Sequence, residues 1–263
     1  MSSIRCQGWL RRVAVLALAW VAGCATEPVT GRRQFRMTGA SQEVALGLST
    51  FEALKKETPL SKDAAKRALL ERVGRRIAAV SGMTGAQWEF VLFESLQANA
   101  LCLPGGKVGI YTGIPPITRD EAGLATVIGH EVAHALARHG GERMSVAKGL
   151  ELAGILGGQA MSQSQYAPYF QQLYAPVSQV AVALPHSRTQ ERSADEISLM
   201  LMARAGYDPA EAVGFWERFA AHNRAAGGQT PWFLRTHPLD QQRIARIQQL
   251  LPKAKAEFRP ATP

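Results

Sequence analysis

The sequence predicts an α+β fold, mostly helical, with one small antiparallel sheet that contains a β-hairpin. Three observations point there. Apolar residues recur at helical spacing through most of the chain, and three short strand-like runs fall between residues 87 and 112, the first rich in aromatic and β-branched residues. A length of 263 residues, with 46% hydrophobic and 19% charged, suits one globular domain and excludes a disordered or polytopic membrane chain.

The N-terminus reads as a leader. Arg5, Arg11 and Arg12 occur there without an acid, and the uncharged run Val13 to Gly23 follows. That run is far shorter than the roughly 20 residues a spanning helix needs, so it reads as an export signal, not an anchor. Val21-Ala22-Gly23-Cys24 resembles the bacterial lipoprotein box, which implies cleavage before Cys24 and lipid on its sulfur. Ala25 after the cysteine suggests the outer membrane. Loss of the three arginines lowers the formal charge from +9 to +6. The expected organisation is a signal peptide over 1–23, a lipidated N-terminus and tether over 24–40, a single domain over 41–252, and a tail over 253–263. Cys6 leaves with the signal and Cys24 is capped, so Cys102 is the remaining thiol, read as a small core hydrophobe, and no intramolecular disulfide is available.

Residues 28–36, PVTGRRQFR, read as tether and first surface turn. Helical patterns follow over about 41–57 and 61–81, the second with Ala65, Leu69, Val73, Ile77 and Val80 near one face. Residues 87–95 read as a buried strand. Residues 98–103 and 107–112 pair as a hairpin, because Pro104 and Gly105 suit a type II turn before Gly106. Thr118 to Glu121 reads as a capping box that opens a long helix through Arg138, closed by Gly140-Gly141. Another helix is expected over about 142–160. The Gln, Ser, Tyr and Pro-rich stretch 162–186 reads as a loop or gating lid. Ser187 and Gln190 form a second capping signature for a helix that ends at Gly206. Asp208-Pro209-Ala210-Glu211 opens a further helix to about Ala226, and a last one runs from about Pro238 to before Pro252.

Chemistry concentrates in His130-Glu131-Val132-Ala133-His134, inside the long helix. Residues four apart lie about 40° round a helix, so both imidazoles leave one face and can share a cation. Glu131 is placed to take a proton from a metal-activated water and later pass it to the leaving amine. With 6 His and 16 Glu in the chain, chance produces such a pattern in roughly one per cent of shuffled versions. A catalytic zinc needs a third protein ligand. Ala137 and Gly140 stand where the metzincin pattern requires Gly and His, so that class is excluded. His139, about 140° round the helix from His134, reads as an exposed C-terminal cap. Glu142 and Glu151 are within reach, but Glu191 in Glu191-Arg192-Ser193-Ala194-Asp195 is the better candidate, with Asp195 one turn on to fix a ligand histidine.

HEVAH, with ERSAD beginning 57 residues after its last histidine, resembles the metallopeptidase family that contains the CAAX prenyl protease, HtpX-type heat-shock proteases and mitochondrial Oma-type peptidases. NALCLPGGKVGIYTGI over 99–114 is similar to that family's hairpin segment, and PVTGRRQ to its exported lipoprotein branch. The resemblance implies a zincin-like fold with the hairpin beside the active-site helix. It implies one Zn2+ per chain on His130, His134 and Glu191, a gluzincin arrangement, with Glu131 as general base. It also implies a role for Thr236-His237-Pro238 and Arg243: His237 sits opposite the zinc, where it either stabilises an oxyanion or ligates the metal and holds the enzyme quiet.

An extended peptide pairing with the hairpin edge, with Asn99 at its start and Gly105 and Gly106 at its turn, is the expected mode of substrate binding. The expected activity is an endopeptidase of misfolded or misassembled envelope proteins, held by lipid at the outer membrane and facing the periplasm. The rival is a chaperone-like outer-membrane assembly or quality-control factor with a plugged site. Nucleic acid is not expected as a partner: the basic charge has no aromatic-basic platform or groove motif behind it.

Overall fold

The computed structural model describes residues 24–27, 29–161, 187–225, 233, 237 and 242–260. The expected signal peptide, the 162–186 lid and the start of the last helix at Pro238 lie outside the described residues. Two compact units emerge, one within Met1–Thr38 and Gly141–Ala183, the other within Gly39–Gly140 and Leu184–Pro263. The expected single domain over 41–252 is divided differently because the chain after Gly140 bonds to the N-terminal segment.

In the first unit, β1 (Cys24–Thr26) pairs antiparallel with β2 (Arg33–Phe35), so part of the stretch read as a tether is a hairpin. Arg32 forks Glu142 at 2.9 and 2.6 Å, and the Met37 amide donates to Ser145 Oγ at 2.7 Å. These bonds tie the hairpin to the chain that follows Gly141.

The second unit carries α1 (Ala40–Glu57) and α2 (Ala64–Val80), close to their predicted limits. Asp63 caps α2 by accepting from the Lys66 amide, and Leu70, Val73 and Ile77 form its buried face; Ala65 is exposed. Next come β3 (Glu89–Phe93), β4 (Ala100–Leu103) and β5 (Lys107–Tyr111), in the order β3-β5-β4. The sheet is mixed, not purely antiparallel. The β4–β5 hairpin pairs Leu103 with Lys107, while β3 runs parallel to β5. All five residues of β5 are buried, which suits the central position between two neighbours. Gly105 and Gly106 turn the hairpin at φ of 91° and 86°, where a side chain would be strained. Period-two alternation splits the sheet's faces. Phe93, Tyr111, Leu101 and Leu103 pack with Phe51 of α1, and Leu92, Ala100, Val108 and Ile110 join the main core.

A short helix α3 (Pro115–Thr118) precedes α4 (Glu121–Leu136). The N-cap of α4 is Asp120, whose Oδ1 accepts from the Gly123 amide at 2.8 Å; Thr118 instead donates to Pro115 O inside α3. Arg119 at φ 68° separates the two helices, which displaces the expected capping box by two residues. The helix also ends early. Arg138 takes φ 55°, and its guanidinium forks the buried Glu43 at 2.9 and 2.7 Å, a long-range pair that holds the left-handed turn. α5 (His139–Met161) then begins at His139 and runs through Gly140-Gly141 instead of starting after them.

Beyond residue 186, α6 (Arg188–Arg204), α7 (Glu211–Ala225) and α8 (Arg243–Ala256) complete the described fold. Ser187 and Gln190 close a full capping box on α6. α8 continues past Pro252, which sits inside it. Bonds from Arg259 N to Ala203 O, and from Arg204 to Glu257, hold its final turn to α6 and outweigh the missing proline amide. α4 is buried on almost every side, packed on α2, β4, α6 and α7. Among the described residues, no helix is long and apolar enough to cross a membrane.

Candidate metal centre

α4 presents His130 and His134 on one face, and their Nε2 atoms lie 3.2 Å apart. α6 supplies Glu191 from its first turn, immediately behind the Ser187 capping box. His237 is anchored on aromatic residues. Its amide donates to Phe233 O, its ring lies 4.5 Å from that of Phe233, and Phe233 stacks on Trp216 and meets Phe219 edge to face. One ligating atom from each of His130, His134, Glu191 and His237 lies within 4.8 Å of the others, and all four residues are buried.

The donor set fits a tetrahedral cation. Metal–ligand bonds of about 2.05 Å imply ligand–ligand edges of about 3.3 Å. Glu191 is 3.4 Å from His130 Nε2 and 3.3 Å from His134 Nε2. His237 Nδ1 is 3.3 Å from His130 Nε2 and 2.9 Å from Glu191. In addition, the buried Glu191 has Arg243 Nη1 3.0 Å from its Oε2, which keeps the carboxylate charged for a cation.

Behind the donors stands a polar layer. Asp195 Oδ1 lies 3.2 Å from His130 Nδ1. Arg243, 1% exposed, forks Asp195 at 2.9 and 2.6 Å, places Nη1 3.0 Å from Glu191, and stacks 3.5 Å from the Trp216 ring centroid. Glu131 points its Oε1 toward His237 Nε2 at 3.3 Å, also without a hydrogen bond from a described residue.

The electrostatics follow from burial and neighbours. Burial opposes protonation of His130, but Asp195 and Glu191 override it and carry its pKa to about 9. Burial also pushes the Glu131 carboxyl up, against the pull of His237 and His130. Glu191 is held well below its usual range, because His237 and Arg243 overcome its burial. A site of this kind can hold a divalent cation on one side and keep a base of raised pKa beside it.

The structure thus brings together His130, Glu131, His134, Glu191, Asp195, His237 and Arg243. Asn99, buried just before β4, turns its Oδ1 to the Ala100 amide, and Gly105 and Gly106 form the hairpin tip. Cys102 on β4 has its thiol pKa pushed up by burial and then by Glu131. Cys24 belongs to the other unit. One residue departs from its expected place. His139 is completely buried, and its Nδ1 lies 2.8 Å from His134 Nδ1. Helical arithmetic placed it on another face, but the helix breaks at Arg138, so that arithmetic does not apply. The aromatic wall of Trp216 and Phe233 was likewise not singled out; only a tertiary contact marks it.

The Peptidase family M48 profile matches residues 64–251. Among curated relatives, the mitochondrial metalloendopeptidase OMA1 of Schizosaccharomyces pombe is 33% identical over 233 residues, covering 88% of this chain and 67% of its own. The human mitochondrial metalloendopeptidase OMA1 is 27% identical over 86% of this chain and 46% of its own. The beta-barrel assembly-enhancing protease of Yersinia pestis is 25% identical over 78% of this chain and 43% of its own. The chain thus spans about two thirds of the fission-yeast relative and under half of the other two.

Proposed function

From the premise that this chain belongs to peptidase family M48 and is a metalloendopeptidase, we propose that it is a zinc enzyme of the bacterial envelope that cleaves misfolded or misassembled envelope proteins. The observation that carries the zinc assignment is the convergence of His130, His134, Glu191 and His237 at edges close to those of a tetrahedral nitrogen and oxygen site. His130, His134 and Glu191 hold the ion, and a bound zinc supplies Lewis-acid activation of water and of the scissile carbonyl. Glu131 takes the proton from the attacking water and returns it to the leaving amine. Its raised pKa suits both halves of that task. Arg243 and Asp195 keep His130 and Glu191 oriented.

Substrate pairs as an extended strand along β4. Tyr111 N bonds to Asn99 O, so alternation along the antiparallel pair turns the backbone groups of Ala100 and Cys102 toward the outer edge, where Asn99 Oδ1 takes the Ala100 amide and leaves the Ala100 carbonyl and the Cys102 groups for substrate. Recognition through main-chain groups favours unfolded segments over any one sequence. The test is metal analysis with a casein assay on wild type and Glu131→Gln. One zinc per chain, cleavage by wild type and silence of the variant are expected; wild type with stoichiometric zinc that never cleaves casein or an unfolded porin would defeat the proposal.

A second reading, a resting site closed by its own histidine, is favoured by one observation: His237 Nδ1 stands at the fourth corner, 3.3 Å from His130 Nε2. On this reading cleavage is rare and the protein acts mainly as an assembly factor. His237→Ala separates the cases, raising peptidase rate if the histidine is a plug and lowering it if it serves the oxyanion. Envelope attachment rests on the Cys24 lipid. Wild type should incorporate labelled palmitate and sediment with outer membranes, and a Cys24→Ala protein that still does both would sink the lipid anchor.

A further inference from the structure

We propose that His139 is a positioning residue that sets the tautomer of His134, on the reading that His134 is a zinc ligand. The two Nδ1 atoms lie 2.8 Å apart, a hydrogen-bond distance that requires one nitrogen to carry a proton and the other a lone pair. The rest of the site chooses which. His134 Nε2 faces His130 Nε2 at 3.2 Å and Glu191 at 3.3 Å, so this nitrogen is the one turned into the donor cluster and must offer its lone pair there. Neutral His134 therefore carries its proton on Nδ1 and donates it to His139 Nδ1. His139 is the acceptor, with its own proton on Nε2.

The position is built for this. His139 is completely buried, its ring meets that of His134 edge to face with centroids 4.8 Å apart, and Gln190 Nε2 donates to its backbone carbonyl. The two ligand histidines are thus oriented by unlike partners. His130 has a carboxylate, Asp195, at 3.2 Å, and His134 has a neutral imidazole. A carboxylate at both would add a second buried negative charge beside Glu191; an imidazole orients the ring without one.

The test compares zinc affinity, by competition with a chromophoric chelator, in the full-length wild type, His139→Leu and His139→Asn, with melting of each metal-free protein measured in parallel. Asn offers an acceptor oxygen near the position of Nδ1, whereas Leu offers none. The expected result is a loss of about 10-fold to 100-fold in affinity for Leu, with Asn within a few-fold of wild type. Affinities that are equal across all three proteins, or that fall in step with melting temperature in both variants, would overturn the assignment. Failure of wild type itself to bind zinc would instead remove the metal reading on which the assignment rests.

Discussion

Glu131, the proposed general base, weakens the fold that holds it. Its carboxyl is buried, its Oε1 lacks a hydrogen bond from a described residue, and its pKa is raised, first by burial. The folded protein holds this proton more tightly than the unfolded chain. The group therefore does no harm below its unfolded pKa, and destabilises progressively as pH rises through the window up to its folded value. Metal-free Glu131→Gln should accordingly melt higher than metal-free wild type, with a gap that widens in calorimetry as pH rises above the ordinary carboxylate range, while the zinc-loaded variant should lose about 10²-fold to 10⁴-fold in peptidase rate. A gap that narrows with rising pH would contradict this account. Arg243 acts in the opposite sense. Its fork on Asp195 and its stacking on Trp216 need a planar guanidinium, which lysine does not offer. Arg243→Lys should lower stability by about 3 kcal/mol in urea unfolding, because it breaks a buried ionic network; superimposable curves would show that the network adds nothing.

Among the elements, α6 is the one whose local signals and tertiary role agree. Ser187 and Gln190 bond each other's backbone amides, and Glu191 occupies the first turn behind them. Ser187→Ala should cost about 1 kcal/mol of stability. Because fraying of that turn moves Glu191, zinc affinity should also fall, whereas exposed Thr189→Ala should change neither. Melting curves and chelator competition on both variants check this. The boundaries of α4 were not legible in the same way. Thr118 and Asp120 both look like caps in sequence, and the choice between them rests on the left-handed Arg119. At the other end Arg138 turns the chain where a glycine pair two residues later looked more suitable, because Glu43 lies within reach of its guanidinium. Pro252 likewise looked like a stop, and contacts from α6 carry the helix past it.

For the molecule as a whole, metal and fold are linked. Four donors, from α4, from α6 and at His237, meet only in the folded chain, so the proposed zinc would bind the native state and stabilise it by mass action. Free zinc at about 100 times its dissociation constant should add about 2.7 kcal/mol, and chelation should remove it as a drop in melting temperature. Glu191→Ala should show a much smaller response to chelator; an unchanged drop would place the stabilising ion elsewhere.

The HEVAH pair, the Asp195 spacing, the α6 cap and the hairpin turn could all be read from sequence, because each depends on residues within about one helical turn or one tight turn of each other. The placement of β5 between β3 and β4, the pairing of residues after Gly140 with the N-terminal hairpin and the contact of His139 with His134 could not, and the place of His237 came only through the family resemblance. His237 and His130 are 107 residues apart, and Arg138 and Glu43 are 95 apart. No local propensity encodes such meetings. They follow from burying the apolar faces of α2, α4, α6 and α7 together, and that packing exists only once the chain between them has folded.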